Sequence, residues 1–137
     1  MTIKPLLKPK KQKNKRKTLI NKLDKAFQVW GRAEYNFCFI CGGGYSCLHH
    51  FIHKAQSTNL RWDKQNGVPI CGRCHQRIHK RNDASETWII ENRMSNRFGD
   101  DWKRYIQKEK VKMYKPGIKE LEELLEEFKP KASDLFY

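Results

Sequence analysis

The chain has no run of apolar residues long enough to cross a bilayer, and its basic N-terminus is not followed by the apolar segment of a secretory signal. Neither a membrane span nor export is expected, and the cytoplasm is the expected compartment. It also lacks a strongly amphipathic basic helix with an apolar anchor face, which argues against a lipid surface as the partner of its charge. Apolar residues make up only 38% of the 137 positions and 32% are charged, so a modest single core needs help, for which a bound metal is the obvious staple. Cysteines number five, which cannot all pair, and four of them fall in two Cys-x-x-Cys pairs. Without an export signal, that pattern reads as metal binding rather than disulfides.

Acidic residues are scarce in the first part of the chain. Residues 1–34 hold 11 Lys/Arg against 2 Asp/Glu, and residues 35–81 hold 7 against 1. Residues 82–117 are nearer balance at 8 against 6, and residues 118–137 are acidic at 3 against 6. A net charge of +14 distributed in this way attracts phosphate backbones and makes association salt-dependent, so nucleic acid is the expected partner. Charge alone leaves open a merely soluble basic surface.

Four parts follow from composition and period. Residues 1–17 carry eight Lys/Arg, no acid and two Lys-Pro steps, with no apolar period, and read as a flexible basic arm. Residues 18–34 read as a helix, because Leu19, Leu23, Ala26, Phe27 and Trp30 recur at spacings of three and four opposite Lys22, Lys25 and Arg32. Gly31 weakens its last turn or marks the approach to its end. Residues 35–81 hold the cysteines and histidines. Residues 82–137 read as three helices. The first has a capping-box start at Asp83-Ala84-Ser85-Glu86 and a stop at Gly99, and the second runs from Asp101 to about Tyr114. The third runs from Ile118 to Phe128, with Leu121, Leu124, Leu125 and Phe128 in one stripe. Its glutamates (Glu120, Glu122, Glu123, Glu126, Glu127) make it unfit for DNA; they face a protein, the chain's own basic arm, or solvent. The helix 18–34 and residues 35–137 are expected to fold as one domain.

The knuckles Cys38-Phe39-Ile40-Cys41-Gly42 and Cys71-Gly72-Arg73-Cys74 each let two thiolates converge on one ion. Together they supply four soft ligands, the closed tetrahedral set of structural zinc. The 29 residues between the pairs are more than a ribbon needs, so something else is held there. That insert reads as strand, loop, strand: Tyr45 to Ile52 is strand-like, Leu60-Arg61-Trp62 is a second short extended candidate, and Asn66-Gly67 is a turn signal. Cys74 opens a helix on which His75 and His79, at i and i+4, share a face. The fold class expected is α+β: a small ββα core with a zinc-ribbon-like four-cysteine site, flanked by helices on both sides.

Taken together, His49-His50, Asn66, His75 and His79 resemble the HNH, or ββα-metal, nuclease motif. The run Asn66-Gly67-Val68-Pro69-Ile70-Cys71-Gly72-Arg73-Cys74-His75 is similar to the N-L-x-P-L-C-x-x-C-H of HNH proteins that carry a cysteine brace. The resemblance implies that His49, His75 and His79 bind a catalytic ion, that His50 is the general base, and that Asn66 holds the loop orienting that base. It is closer to the three-histidine site of the colicin DNases than to the version with Asp first. The chemistry also stands on its own terms. A neutral imidazole of pKa about 6.5 accepts a water proton at neutral pH. One divalent ion held from one side can contact both a scissile phosphate and the leaving 3′ oxygen. Three imidazoles leave coordination positions open and four thiolates do not, so two ions are expected, a structural zinc and a catalytic one. Imidazole suits zinc, nickel or manganese; magnesium prefers oxygen and fits less well.

Plainer readings stand beside these. Adjacent His49 and His50 point to opposite faces of a strand, so one of them can be a packed core histidine. His53 reads as a surface-loop histidine, with a place near the phosphate as its alternative, Cys47 as a small buried apolar residue, and Asp63 as a cap of the Asn66 turn, with orientation of His50 as its alternative. Lys54, Arg61, Arg73, Arg77 and Lys80 lie near the site in sequence and are candidates for holding DNA phosphates, with plain solvation as the alternative for each.

A second resemblance covers most of the chain. The order is basic arm, Lys22-Leu23-Asp24-Lys25-Ala26-Phe27, first knuckle, Leu60-Arg61-Trp62-Asp63 before Asn66, second knuckle, then helices. This is similar to the lambdoid phage NinG (Rap) recombination proteins. It implies a structure-specific endonuclease of branched DNA such as D-loops and Holliday junctions, working in a host cytoplasm; paired nicks would favour a homodimer. That family usually shows Gly-His where this chain has His49-His50, and Cys-Asn where it has Cys74-His75, so the HNH site here is fuller. Two alternatives remain. A non-catalytic zinc-ribbon nucleic-acid-binding protein would not need His50, Asn66, His75 and His79 together. A sequence-specific homing or restriction-like HNH nuclease would ask a short chain to read a long site.

Overall fold

The computed structural model describes residues 9–81 and 84–129. In chain order the elements are α1 (Pro9–Glu34), β1 (Cys47–His50), a 3-10 turn (Lys64–Asn66), β2 (Gly67–Ile70), α2 (Gly72–Arg81), α3 (Ala84–Phe98), α4 (Trp102–Lys110) and α5 (Ile118–Phe128). This is the expected α+β class, with a two-stranded sheet leading into α2 as a ββα core. No helix among the described residues is long and apolar enough to cross a membrane.

Helix α1 begins at Pro9, where the sequence suggests a flexible arm up to residue 17. Proline is at home in the first helical position, and Lys13, Lys15, Arg16 and Lys17 lose little side-chain freedom in a helix. Residues 1–8 of the expected arm and the cap expected at Asp83 lie outside the described residues. Helix α4 ends at Lys110, short of the expected Tyr114.

The chain forms two compact units. One takes α1 up to Phe27 and the segment from Pro116, which includes α5. Leu19, Leu23 and Phe27 on α1 and Leu121 on α5 are buried, and the Phe27 and Phe128 rings meet edge to face at 6.1 Å. The Arg16 guanidinium donates to the Pro116 carbonyl, and Lys15 pairs with Glu122 at 3.4 Å. The acidic helix thus meets the chain's own basic segment.

The other unit, Gln28–Lys115, carries the sheet. β1 and β2 pair antiparallel, with Cys47 opposite Ile70, Leu48 opposite Pro69, His49 opposite Val68 and His50 opposite Gly67. The second strand is therefore Gly67–Ile70 and not Leu60-Arg61-Trp62, which folds into turns. Leu60 and Trp62 are buried there as anchors, while the Arg61 and Asp63 N–H groups turn back to the Thr58 and Leu60 carbonyls, each at 3.2 Å. Asn66-Gly67 is likewise no hairpin turn: Asn66 ends the 3-10 turn and Gly67 begins β2. Proline cannot donate to a ladder, which makes Pro69 a poor sequence sign of a strand. Here Leu48, opposite it, gives both main-chain groups to the Gln28 side chain of α1, its N–H to Oε1 at 2.8 Å and its carbonyl to Nε2 at 3.1 Å. Gly31 permits so close a helix: a Cβ at this position would lie 2.5 Å from the Leu48 side chain and 2.8 Å from the Tyr45 hydroxyl. Ile90 and Met94 of α3 and Trp102 and Ile106 of α4 complete the core of this unit. Trp102 is fixed by its Nε1–H on the Gln65 carbonyl at 2.8 Å and by an edge-to-face contact with Phe51 at 5.0 Å.

Candidate active site

The four cysteines converge. Cys38 and Cys41 come from the segment after α1, Cys71 immediately precedes α2 and Cys74 lies in its first turn, and their sulfurs all lie within 4.8 Å of one another. The N–H groups of Ile40, Gly43 and Cys74 approach the Cys38, Cys41 and Cys71 sulfurs at 3.4 Å each. Gly42, at φ 77°, takes the left-handed conformation that closes the first knuckle. The Cys41 and Cys71 sulfurs are 3.7 Å apart. Two sulfurs bound at about 2.3 Å to one tetrahedral ion sit about 3.8 Å apart, so this edge already has the size zinc requires. The Cys74 N–H draws the Cys71 thiol down to about 7, while burial pushes Cys74 up to about 12. Four converging sulfurs ionise together only around a cation.

A second cluster stands beside it. His49 projects from β1, His75 and His79 project from one face of α2, and one ring nitrogen of each lies within 4.8 Å of those of the other two. The Nε2 atoms of His75 and His79 are 2.9 Å apart. Two imidazoles on one tetrahedral ion hold their nitrogens about 3.3 Å apart, so a small opening of this pair seats a divalent cation. Cys47, two residues before His49 and on the same face of β1, brings its sulfur to 3.7 Å from His75 Nδ1. A proton on Nδ1 directed at that sulfur leaves the Nε2 lone pair facing the cluster. Burial first, and then the neighbouring imidazoles, hold His49 down at about 4, and burial followed by His79 lowers His75. Both rings are therefore neutral at physiological pH, the form that ligates metal.

His50 points to the other face of the strand and reaches the Arg61 carbonyl with Nε2 at 2.8 Å. A carbonyl only accepts, so the neutral ring carries its proton on Nε2 and its lone pair on Nδ1. The turn that presents this carbonyl is tied by Asn66, which is fully buried. Asn66 Oδ1 accepts the Ile52 N–H at 2.8 Å, and its Nδ2 donates to the Ile52 and Leu60 carbonyls at 3.0 Å each. Asp63 caps the same turn by accepting the Gln65 N–H at 2.8 Å, and its second carboxylate oxygen accepts the Tyr105 hydroxyl of α4. Burial and that carboxylate raise the Tyr105 phenol, keeping it a donor. Asn59 adds bonds from Nδ2 to the Glu109 carbonyl at 3.0 Å and carboxylate at 2.8 Å. α4 therefore braces the loop that orients His50.

Gln28, Leu48, His49, His50, His53, Lys54, His75 and His79 line a single cleft of about 240 Å³. His53 accepts the Ala55 N–H at Nδ1, at 3.1 Å, which leaves the proton of its neutral ring on Nε2. Among the basic candidates, Lys54 borders the cleft, and Arg73 and Lys80 are exposed on α2. Arg61 lies 5.4 Å over the Trp62 ring. Arg77 turns inward, donating to the Cys74 sulfur at 3.4 Å and facing Glu86 at 3.9 Å. Gln28, the contact of Cys47 with His75, and the Arg61 carbonyl are parts of this site that sequence reasoning passes over. None carries a motif, and only the antiparallel register brings them in.

No curated protein and no solved structure matches the chain. Residues 38–81, which span both knuckles, β1, β2 and α2, match the model of the HNH endonuclease family. The ββα core with its two metal-donor clusters is thus an HNH-type region, which points to nuclease activity on a nucleic acid with use of a divalent metal.

Proposed function

We propose that the chain is a metal-dependent HNH endonuclease that hydrolyses phosphodiester bonds in DNA. His50 is the general base, His49, His75 and His79 hold one divalent ion (zinc, nickel, manganese or magnesium), and Cys38, Cys41, Cys71 and Cys74 hold a structural zinc. The observation that carries the reading is the single cleft that joins three convergent imidazoles to a fourth imidazole fixed by a main-chain carbonyl. A zinc ribbon that only binds nucleic acid needs the four sulfurs and has no use for such a cleft.

The Nδ1 lone pair of His50 takes a proton from the attacking water, and the resulting imidazolium keeps its Nε2–H bond to the Arg61 carbonyl, which stabilises the charge. His49, His75 and His79 would hold a divalent ion, which would supply charge neutralisation for the reacting phosphate. The phosphorus–oxygen bond to the 3′ oxygen breaks and that oxygen takes a proton from solvent water, giving 5′-phosphate and 3′-hydroxyl ends. Asn66 acts through the loop it ties and is a positioning residue. Lys54, Arg73 and Lys80 hold flanking phosphates, while Arg61 and Arg77 are engaged within the protein. Branched DNA is the substrate favoured by the resemblance to the NinG proteins, with recombination in a phage-infected cytoplasm as the setting and paired nicks by a homodimer as the outcome.

One assay panel tests this. Wild type and His50→Ala are incubated with linear duplex, single strand, D-loop and Holliday junction, with magnesium, manganese, nickel and zinc in turn. Metal-dependent cleavage by wild type and a loss of about 10²–10⁴-fold in His50→Ala are expected. Absence of cleavage under every condition sinks the enzyme reading, equal cleavage by the variant sinks the base assignment, and equal rates on duplex and junction sink the branched-DNA preference.

A further inference from the structure

Four aromatic rings run from the end of α1 into the first knuckle. Trp30 meets Tyr35 edge to face at 5.9 Å, Tyr35 meets Phe39 edge to face at 5.3 Å, and Phe39 meets Phe37, tilted by 40°, at 6.0 Å. Tyr35 and Phe39 are buried, but Phe37 is 46% exposed, so the row ends in a ring open to solvent. That ring lines a hollow of about 330 Å³, together with the apolar Tyr35 and Phe39 and the polar Asn36, Arg93 and Asn96. The volume lies at the small end of ligand sites. At its edge the Arg97 guanidinium stacks 4.5 Å over the Tyr35 ring and pairs with Glu34, so it acts as wall rather than as a loose charge. The Tyr35 hydroxyl is buried, and the same Arg97 guanidinium is its charged neighbour.

These features select a ligand. An open aromatic face takes a flat ring. Two exposed amides, each both donor and acceptor, match the mixed edge of a heterocycle. An arginine beside them takes an anion. A nucleotide offers all three together, and the +14 chain already attracts nucleic acid. The base must be unpaired, because a stacked and paired base has both its face and its edge in use. We propose that this hollow takes one unpaired nucleotide of the substrate DNA, with its base on Phe37, its edge on Asn36 and Asn96, and its phosphate on Arg93. The inference rests on the DNA endonuclease reading and gives that enzyme a structural reason to prefer DNA with an unpaired strand.

The test is a binding titration of the full zinc-loaded chain against two DNAs. One is a duplex with a short single-stranded flap carrying 2-aminopurine, and the other is the same duplex fully paired. Wild type should quench the flap fluorescence and bind the flap more tightly. Phe37→Leu, which keeps an apolar side chain without the ring, should lose about tenfold in flap affinity and leave the paired duplex unchanged, with Phe37→Trp restoring the flap. Because Phe37 adjoins Cys38, zinc content is measured alongside, and Asn96→Ala on α3, away from the knuckle, should show the same selective loss. Unchanged flap affinity in both variants, or equal losses on both DNAs, overturns the proposal. If wild type still cleaves DNA when that result is obtained, the nuclease reading survives without this site; if wild type binds neither DNA, both readings fall.

Discussion

Replacing Asn66 by alanine measures how strongly the loop behind His50 is held. The side chain makes three hydrogen bonds inside a fully buried pocket: it accepts from the Ile52 N–H and donates to the Ile52 and Leu60 carbonyls. Truncation leaves the Ile52 N–H and carbonyl without partners, each at a cost of about 1–3 kcal/mol, and takes one of two donors from the Leu60 carbonyl, which keeps the Asp63 N–H. Some of that is recovered by relaxation and by water entering the space left, so about 3 kcal/mol is expected, a large share of a total stability of roughly 5–15 kcal/mol. For a chain of this size the midpoint of thermal unfolding should fall by about 10 °C, read by far-ultraviolet circular dichroism at fixed excess zinc. Asn66→Asp sharpens the test. Its shape is nearly the same and one oxygen still accepts the Ile52 N–H, but the other is set against two carbonyl oxygens and, when ionised, has no proton to donate. At neutral pH it should destabilise at least as much as Asn66→Ala. Burial and those carbonyls raise the folded-state pKa of the new carboxyl above its unfolded value of about 3.9. The folded state then binds the extra proton, so stability returns as pH falls through the raised pKa and is lost again as pH rises through it. A midpoint within about 2 °C of wild type for Asn66→Ala, or neutral tolerance of Asn66→Asp, would refute the claim that this side chain carries the loop.

The two donor clusters should separate under mutation. Cys71→Ser should lose the tightly held zinc and the folded circular-dichroism signal together, whereas His79→Ala should keep zinc at the cysteines and the fold but lose the second ion, as metal analysis by mass spectrometry would show; coupled loss in both variants would mean one shared site. Gly31→Ala gains up to about 1 kcal/mol of helix propensity but drives a methyl to 2.5 Å from Leu48, an overpacking worth about 1–3 kcal/mol. A midpoint lowered by a few degrees is expected, and a raised one would show that α1 can back away from β1. Replacing Lys54, Arg73 and Lys80 together by glutamine should make the log–log slope of DNA affinity against salt shallower by about three, and an unchanged slope would remove them from the phosphate contacts.

The helices are legible in the sequence because their evidence is local. The stripe Leu19, Leu23, Phe27 and the span Ile118–Phe128 need only their own spacing, and α3 stops where Gly99, at φ 104°, takes a conformation other residues avoid. β2 is not legible for the opposite reason. Gly-Val-Pro-Ile has a turn residue and a proline, and it is a strand because His50 pairs with Gly67 and because the Phe39 N–H bonds the Pro69 carbonyl at 2.9 Å. Both partners lie far away in sequence. Leu60-Arg61-Trp62 misleads in the complementary way, since two apolar residues flanking an arginine look like strand alternation but serve equally well as two anchors of a turn.

The same division runs through the site. Sulfur and imidazole donors are tied to residue types, and Cys-x-x-Cys or the i, i+4 histidines of α2 are spacings that only one local geometry satisfies, so the two clusters can be named from the chain alone. What aims the donors has no such signature. The Arg61 carbonyl that fixes His50 would be present with any residue at that position, the Gln28 amide that holds Leu48 is one polar side chain among several on α1, and Cys47 stands outside both knuckles. These partners reach the site through the register of two four-residue strands. Slipping that register by one residue would turn His49 away from α2 and His50 away from its carbonyl while leaving every motif in the sequence unchanged. The fold therefore contributes orientation rather than composition, and substitutions at Gln28 and Asn66 probe that orientation separately from the metal donors themselves.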